Sequence, residues 1–246
     1  MQILTEGINL NGFFENVAGC SERLLVLDYD GTIAPFRIER AEAFPYPGIA
    51  PLVESIMEAA RSRVVIVSGR SIDDLKGLLR FEPLPELYGS HGWERMTVDG
   101  TSTAMPLSIE NLRGLGEAIG FLEEEGLSTY AETKHGSIAF HWRGRRGNEV
   151  EALRNRLQRG WLEIAERCGL RLLSFDGGLE LRAPGNDKGT AIRGLLDRVP
   201  LQAAVAYLGD DMTDEDTFLE LEGKGLRVLV NTLLRPTAAD LSLIHI

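Results

Sequence analysis

Two aspartates separated by one residue, directly after an apolar run, constrain the fold of this chain more than any other feature. The run Leu24–Leu27 is followed by Asp28, Tyr29, Asp30 and Gly31. Four apolar residues are typical of a strand buried on both faces of a parallel sheet, and the glycine ends that strand. Both carboxylates then lie at the carboxyl end of the strand, where open α/β sheets bind ligands. Because neighbouring carboxylates repel each other, the pattern predicts a compensating cation, Mg²⁺.

Strand-like and helix-like segments alternate over both ends of the chain. The predicted core strands are Leu24–Leu27, Val64–Val67, Glu86–Tyr88, Ala204–Leu208 and Gly225–Val230. Such alternation indicates an α/β fold with a doubly wound, Rossmann-like parallel sheet. We therefore expect a discontinuous core domain formed by residues 1–93 and 183–240.

The middle of the chain, residues 94–182, has longer strands of period two and two amphipathic helices, which predicts an inserted, smaller α+β cap domain. The polar side chains that share one face of its strands are Ser137, His141, Arg143, Glu180 and Arg182. The last six residues, 241–246, resemble the translation of a sequencing-library adapter. We expect them to be a non-native tail on a chain cut near Asp240, and we leave them out of the predicted fold.

The overall charge and the cysteine content narrow the classes of partner. A net charge of -11 over 246 residues disfavours nucleic acid and anionic membrane surfaces. No apolar run approaches the ~20 residues of a membrane span. Cys20 and Cys168 do not form a disulfide framework, and they fit a reducing, cytoplasmic location.

Four polar clusters follow predicted core elements, at residues 28–32, 68–70, 186–189 and 209–216. Together they suit phosphoryl transfer. Asp28 is the predicted nucleophile, which forms an aspartyl-phosphate, and Asp30 is the predicted acid for the leaving alcohol and then the base for water. Ser68 and Lys188 are expected to hold phosphoryl oxygens.

The acidic run after Gly209 contributes the rest of the predicted metal site. Mg²⁺ is expected to bind Asp28, the carbonyl of Asp30 and Asp210, with Asp214 supporting these ligands. Glu215 and Asp216 are interpreted as structural, since acidic residues in the first turn of a helix favour its macrodipole.

The four clusters resemble those of haloacid dehalogenase superfamily phosphatases, and in detail those of the trehalose-6-phosphate phosphatase branch. The detailed resemblance rests on Ser68-Gly69-Arg70, on Gly89-Ser90-His91-Gly92-x-Glu94 and on residues 209–216, and it spans Leu24 to Val230. It implies a cap that closes over a sugar. The positions that match the family's substrate-binding residues or lie in its motifs are Arg70, His91, Lys134, His141, Arg143, Glu180 and Arg182. For His91 a backbone-positioning role also stays open.

The resemblance implies a cytoplasmic, Mg²⁺-dependent phosphoric monoester hydrolase that converts trehalose 6-phosphate to trehalose and phosphate. One alternative substrate is a sucrose-, glucosylglycerol- or mannosylglycerate-type phosphate ester. A non-catalytic, sugar-phosphate-sensing subunit of a synthase complex also stays open, as does a truncated fragment that folds poorly. A phosphomutase is less favoured, because it requires the phosphoryl group to return to the sugar. A trehalose-phosphate synthase is a possible partner.

Overall fold

The computed structural model describes residues 1–59, 61–142, 144–145, 147–175 and 177–243. Internal contacts divide the chain into two units. The first, here called the core unit, comprises Met1–Thr103 and Asn186–Ile246. The second, the cap unit, comprises Ala104–Gly185. No helix among the described residues is long and apolar enough to cross a membrane.

Thirteen strands and seven α-helices are found in the described part of the chain. The strands are β1 Gln2–Ile3, β2 Arg23–Leu27, β3 Ser62–Val67, β4 Glu86–Gly89, β5 Glu94–Met96, β6 Ser102–Ala104, β7 Ala131–Lys134, β8 Ser137–His141, β9 Arg171–Phe175, β10 Gly178–Arg182, β11 Ala204–Gly209, β12 Leu226–Val230 and β13 Leu241–Leu243. The helices are α1 Leu10–Gly19, α2 Ile49–Glu58, α3 Ile72–Leu78, α4 Ile109–Glu124, α5 Gly147–Cys168, α6 Lys188–Leu196 and α7 Glu215–Glu220. All five predicted core strands are confirmed.

The core sheet has the strand order β1-β13-β12-β11-β2-β3-β4-β5-β6. From β13 to β4, each strand in this order is parallel to the next. From β2 the chain proceeds outward through β3 and β4, and from β11 it proceeds outward in the opposite direction through β12. The β2–β11 pair is therefore the topological switch point, where doubly wound sheets form a ligand crevice.

The central strands are buried on both faces, as their continuous apolar runs predict. In β3, Val65 and Val67 belong to one hydrophobic cluster, together with Ile192 of α6. Val64 and Ile66 belong to a second cluster. Each such side chain contributes about 1.5–3 kcal/mol relative to an exposed one, so the strand ends at the crevice are held by a well-packed core.

The edges of the core sheet differ from the sequence-derived boundaries. β5 pairs antiparallel with β4, so Glu94–Met96 belongs to the core sheet and the contact boundary lies at 103/104 instead of 93/94. At the other edge, the expected tail residues Leu241–Leu243 form β13, which is parallel to β12 and antiparallel to β1. The prediction that left residues 241–243 out of the fold is wrong for this structure. This apolar segment buries Leu241 and completes the backbone hydrogen bonds of β12.

The cap unit has its own antiparallel sheet, in the order β7-β8-β10-β9. Register places Ile138 and Phe140 of β8 opposite Leu181 and Leu179 of β10. These four side chains are fully buried, and α4 and α5 pack on the sheet. The alternate residues of β8 and β10 therefore lie on the other face, as the period of two predicts.

Candidate active site

The side chains of Asp28 and Asp210 meet beside the switch point, because β2 and β11 end next to each other. The turn that follows Asp30 requires a glycine. Gly31 has a φ of +84°, and a Cβ atom built on it would lie 2.0 Å from Oδ2 of Asp210. Any side chain here would be strained and would displace the Asp210 carboxylate.

Lys188 joins the two halves of the core unit through its ammonium group. Its Nζ donates to Oδ1 of Asp28 at 2.5 Å and to Oδ1 of Asp214 at 2.7 Å. Asp28 lies 160 positions away in sequence. Asp187, whose side chain caps α6 by accepting from Thr190 N at 2.7 Å, places Lys188 in the first turn of the helix. All three charged side chains of this network are buried.

Asp214 is surrounded by hydrogen-bond donors. Its Oδ1 accepts from Lys188 and from the hydroxyl of Tyr207, and its Oδ2 accepts from the backbone N–H groups of Asp210 and Asp211, at 2.9 and 3.0 Å. A carboxylate offers about four acceptor positions, and all four are used here. Asp214 therefore organises Lys188 and the Asp210 loop and has little remaining capacity to bind a cation directly.

Burial and mutual repulsion raise the pKa values of the aspartates that are not fully bonded. Burial, with the charge of Asp214, raises the pKa of Asp28 to about 7, against the opposing effect of Lys188. Burial and the charges of Asp28 and Asp214 raise the pKa of Asp210 to about 10. Burial alone would lower the pKa of Lys188, but the two adjacent carboxylates raise it, so the lysine stays charged.

Asp28, Asp210 and Asp214, here called the carboxylate cluster, fit a divalent cation. One oxygen from each lies within 4.8 Å of the others. Three carboxylates face the single ammonium of Lys188, which leaves an excess of two negative charges when all are ionised. Carboxylate oxygens are the ligands that Mg²⁺ prefers. Asp28 and Asp210 are the members that could bind it, since Asp214 is saturated.

The sequence predicts that Arg70 contacts the substrate, whereas in the structure its partners are Asp30 and the carbonyl of Arg40. Its Nε and Nη2 donate to the two oxygens of Asp30, both at 2.7 Å, and its Nη1 donates to the carbonyl of Arg40 at 3.0 Å. The arginine is buried. Such a bidentate pair fixes the plane of the carboxylate, so Arg70 holds Asp30 at a defined position beside Asp28.

Ser68 and His91 form a compact turn at the end of β3. The Ser68 side chain is buried, and its Oγ accepts from the backbone N–H of Arg70 at 3.1 Å. His91 has a φ of +55°, and its N–H donates to the carbonyl of Ser68 at 2.9 Å. Its ring lies against Gly69, where a Cβ atom would lie 2.6 Å away. In this structure His91 contacts the backbone of the Ser68 turn.

One face of the cap sheet carries two groups of polar side chains, here together called the polar face: Glu132, Lys134, Ser137, His141, Glu180 and Arg182. Glu132 Oε2 lies 3.3 Å from Lys134 Nζ and 3.1 Å from His141 Nε2. Glu180 accepts from Ser137 Oγ at 2.8 Å and from Arg182. Each carboxylate on this face therefore has positively charged or hydroxyl partners. The predicted residue Arg143 lies outside the described residues.

Sequence reasoning missed several residues that the structure brings to these sites. Thr32 donates to Oδ2 of Asp28 at 3.3 Å, Tyr207 donates to Asp214, and Glu132 links two of the predicted sugar-binding residues. Two of them carried a readable signal, since Thr32 follows the Asp-x-Asp-Gly run and Glu132 stands two positions before Lys134 on a strand of period two. Tyr207, inside an apolar strand, carried none.

Solved structures share this architecture. The chain resembles a haloacid dehalogenase-like hydrolase from B. subtilis with a TM-score of 0.61 and 17% identity, covering 90% of this chain and 94% of that chain. A trehalose-6-phosphate phosphatase C-terminal domain from C. albicans matches with a TM-score of 0.78 and 18% identity, covering 99% and 94% of the two chains. These likenesses show that the chain has the fold of haloacid dehalogenase-like hydrolases.

The sequence comparison is more specific. The chain belongs to the trehalose-phosphatase family, whose sequence model matches residues 26–243. A protein related to trehalose-6-phosphate phosphatase, of known crystal structure, is 25% identical, with a TM-score of 0.70 and coverage of 90% and 91% of the two chains.

Curated relatives are longer proteins. A trehalose-phosphate phosphatase of Mycobacterium ulcerans is 29% identical over 82% of this chain and 52% of its own length. An uncharacterized glycosyl hydrolase of Mycobacterium tuberculosis is 30% identical over 83% of this chain and 16% of its own length. A bifunctional trehalose-6-phosphate synthase/phosphatase of Thermoproteus tenax is 28% identical over 87% and 29%. The chain thus spans about half or less of the length of these three relatives.

Proposed function

We propose that this protein is a Mg²⁺-dependent sugar phosphatase that hydrolyses trehalose 6-phosphate to trehalose and phosphate. The observation that carries the proposal is the convergence of Asp28, Lys188, Asp210 and Asp214 in one buried cluster. These residues come from three separate segments, and together they offer a nucleophile, a fixed positive charge and oxygen ligands for a metal.

In the first proposed step, Asp28 attacks phosphorus. A new bond forms between one Asp28 carboxylate oxygen and phosphorus, and the bond between phosphorus and the sugar oxygen breaks. Asp30 donates its proton to that oxygen, so the sugar leaves as a neutral alcohol. Lys188 and Ser68 stabilise the negative charge on the remaining phosphoryl oxygens.

In the second proposed step, the aspartyl-phosphate is hydrolysed. Asp30, now a carboxylate, takes a proton from a water molecule, and the water oxygen bonds to phosphorus. The bond between phosphorus and Asp28 breaks, which releases inorganic phosphate and regenerates both aspartates. The Arg70 pair supports this assignment because it keeps the Asp30 carboxylate beside Asp28.

Mg²⁺ supplies charge neutralisation, which lets an anionic carboxylate approach an anionic phosphate ester. Asp28 and Asp210 would hold it, together with the Asp30 carbonyl that the sequence predicts. Asp214 keeps Lys188 and the Asp210 loop in place behind these ligands.

We propose that the polar face of the cap unit, together with Arg143, which the sequence predicts as a sugar-binding residue, binds the sugar. A disaccharide presents many neutral hydroxyl groups, each of which can donate and accept. The paired carboxylates and cations of this face suit such a ligand, because they offer both donors and acceptors without a large net charge. The trehalose-phosphatase family of this chain and its similarity to the trehalose-phosphate phosphatase of M. ulcerans favour trehalose 6-phosphate over other sugar phosphates.

The test is phosphate release from a panel of sugar phosphates by the full chain with Mg²⁺. We expect trehalose 6-phosphate to have the highest kcat/KM, and EDTA to abolish turnover until Mg²⁺ is restored. Asp28→Asn should remove activity and leave the fold intact, while Asp73→Asn, at a fully exposed position of α3, should have no effect. Turnover confined to a monosaccharide phosphate would overturn the substrate assignment, and full activity of the Asp28 variant would overturn the mechanism.

We propose in addition that the partner of this phosphatase is a trehalose-phosphate synthase in the cytoplasm. The T. tenax relative, described as a bifunctional synthase/phosphatase, supports this partner. The two cysteines, both free, are compatible with a reducing compartment. Co-purification of the two native proteins from cell extract, and its absence in a strain that lacks the synthase, would test the association.

A further inference from the structure

The loop that carries Asp210 has four backbone polar groups bonded to side chains. The N–H groups of Asp210 and Asp211 both donate to Asp214. The carbonyl of Asp210 accepts from Asn231 Nδ2 at 3.2 Å, and the carbonyl of Asp211 accepts from Arg235 Nη2 at 2.7 Å. The loop is therefore held through its N–H groups by Asp214 and through its carbonyl groups by Asn231 and Arg235, which follow β12.

Residues 231–238, here called the clasp, supply these two outer donors and are themselves anchored. Glu215, at the start of α7, accepts from Arg235 Nη1, from Thr237 Oγ1 at 2.8 Å and from the backbone N–H of Ala238 at 2.8 Å. The Asn231 Oδ1 accepts from the backbone N–H two positions on, at 2.9 Å, which orients the amide toward Asp210. Glu215, which the sequence interprets as a helix-dipole residue, is thus the anchor of the clasp.

The position of the Asp210 carboxylate tolerates little movement. It lies close enough to Gly31 that even a methyl group there would overlap it, and it shares one buried cluster with Asp28 and Asp214. Three carboxylates repel one another, so each must be held by bonds elsewhere in the chain. For Asp210 these bonds are made by its backbone, because no side-chain cation is paired with its carboxylate among the described ion pairs.

We propose that Asn231 and Arg235 are positioning residues of the metal site, which hold the Asp210 loop in the conformation that binds Mg²⁺. The inference rests on the proposed function in that Mg²⁺ is the ion bound. Asn231 acts through the carbonyl of Asp210 and Arg235 acts through the carbonyl of Asp211, so their loss should weaken metal binding before it affects the chemical step.

The test measures Mg²⁺ binding to the full chain by isothermal titration calorimetry, without substrate. We expect Arg235→Gln to raise the Kd for Mg²⁺ roughly tenfold, the lower end of the effect of losing a residue that orients a metal ligand. Arg193→Gln is the control, since Arg193 also pairs with a glutamate, Glu220, is more exposed than Arg235 and has no hydrogen bond to the Asp210 loop among the described contacts. Arg235→Lys, which keeps the charge but loses the forked geometry, should give an intermediate Kd.

Thermal melting of the same variants separates positioning from general stability. If both arginine variants lose Tm and only Arg235→Gln loses Mg²⁺ affinity, the positioning role is supported. A wild-type Kd in folded Arg235→Gln would overturn it, as would equal losses of affinity in both variants. Should Arg235→Gln fail to fold, Asn231→Ala decides on the same criterion. A wild-type protein that binds no Mg²⁺ overturns both proposals, whereas one that binds Mg²⁺ but releases no phosphate overturns the proposed function alone.

Discussion

The carboxylate cluster of the core unit and the polar face of the cap unit use buried charge in opposite ways. In the cluster, three carboxylates face one ammonium, and burial together with their mutual repulsion raises the pKa values of Asp28 and Asp210. On the polar face, Glu132 has Lys134 and His141 as neighbours, and Glu180 has Arg182. An uncompensated site is suited to bind a cation, and a compensated one to bind neutral hydroxyl groups.

The largest effect is expected when the imbalance of the core cluster is made worse. Lys188→Met removes the only ammonium bonded to Asp28 and Asp214 among the described residues. Loss of one partner of a buried ion pair costs about 3–5 kcal/mol. Loss of the positive charge that stabilises the phosphoryl oxygens should lower kcat by at least roughly 10³-fold. Steady-state kinetics and thermal melting measure both quantities.

Added Mg²⁺ makes this experiment more specific, because a cation in the cluster replaces part of the positive charge of the lost lysine ammonium. The Tm of Lys188→Met should therefore rise more with added Mg²⁺ than that of the wild type. Lys76→Met, at a half-exposed lysine of α3, provides the control. Retention of wild-type turnover by Lys188→Met would contradict the role given to the ammonium.

The second effect concerns the polar face. Glu180→Gln removes the charge that faces Arg182 and weakens an acceptor for Ser137. An impaired buried hydrogen-bonding group costs about 1–3 kcal/mol, so KM for trehalose 6-phosphate should rise by roughly 10- to 100-fold. The Kd for Mg²⁺ should not change, because the cluster in the core unit is intact. Glu110→Gln, on the exposed side of α4, is the control, and a fall in kcat at unchanged KM would contradict a binding role.

The third effect tests how Arg70 serves Asp30. Arg70→Gln removes the bidentate pair, so protonation of the leaving group should become less efficient. An alkyl sugar phosphate needs that proton and p-nitrophenyl phosphate does not, so kcat should fall about tenfold more for the sugar phosphate, within the usual contribution of acid catalysis. Parallel kinetics with the two esters measure the ratio. Equal losses for both esters would indicate that Arg70 has only a structural role.

The smallest effect concerns Glu86, a buried carboxylate whose charge is balanced by two arginines. Burial tends to raise the pKa of Glu86, but hydrogen bonds from Arg63 and Arg95 outweigh it and hold the pKa below its usual value. A depressed pKa contributes stability that is present above the unfolded-state pKa, near 4.5, and is lost as the pH falls through the folded value.

Glu86→Gln should therefore lower the free energy of unfolding by about 1–2 kcal/mol at neutral pH, because both arginines are partly exposed. The difference from the wild type should persist down to about pH 5 and shrink below it. Urea denaturation at several pH values measures this difference, and one that grew toward acid pH would contradict the sign.

Much of the fold could be predicted from local pattern. Continuous apolar runs such as Val64–Val67 predict strands buried on both faces, and β2, β3 and β11 lie where the pattern places them. The Ser71 cap of α3, which accepts from Asp74 N at 3.1 Å, was also predictable. The boundary near Glu94 was not, since antiparallel pairing with β4 depends on a strand that precedes it in the chain and not on its own residues.

The candidate site, like the fold, could be predicted from the sequence only in part. The residue types at strand ends, such as Asp28, Ser68 and Asp210, indicated phosphoryl transfer because the carboxyl ends of parallel strands share one edge. The partners of these residues could not be predicted. Arg70 pairs with Asp30 across 40 positions, and Arg235 reaches Asp211 across 24.

The order of the residues alone determined the α/β class, the strands and the acidic clusters at their ends, because apolar periodicity and glycine breaks act within a few neighbours. Only the tertiary structure decided which charges are balanced. Asp214 is saturated by Lys188, Tyr207 and two backbone N–H groups, whereas Asp210 has no paired cation among the described ion pairs. These pairings arise only when distant segments are packed together. Electrostatic energy depends on separation in space, and separation along the chain does not reveal it.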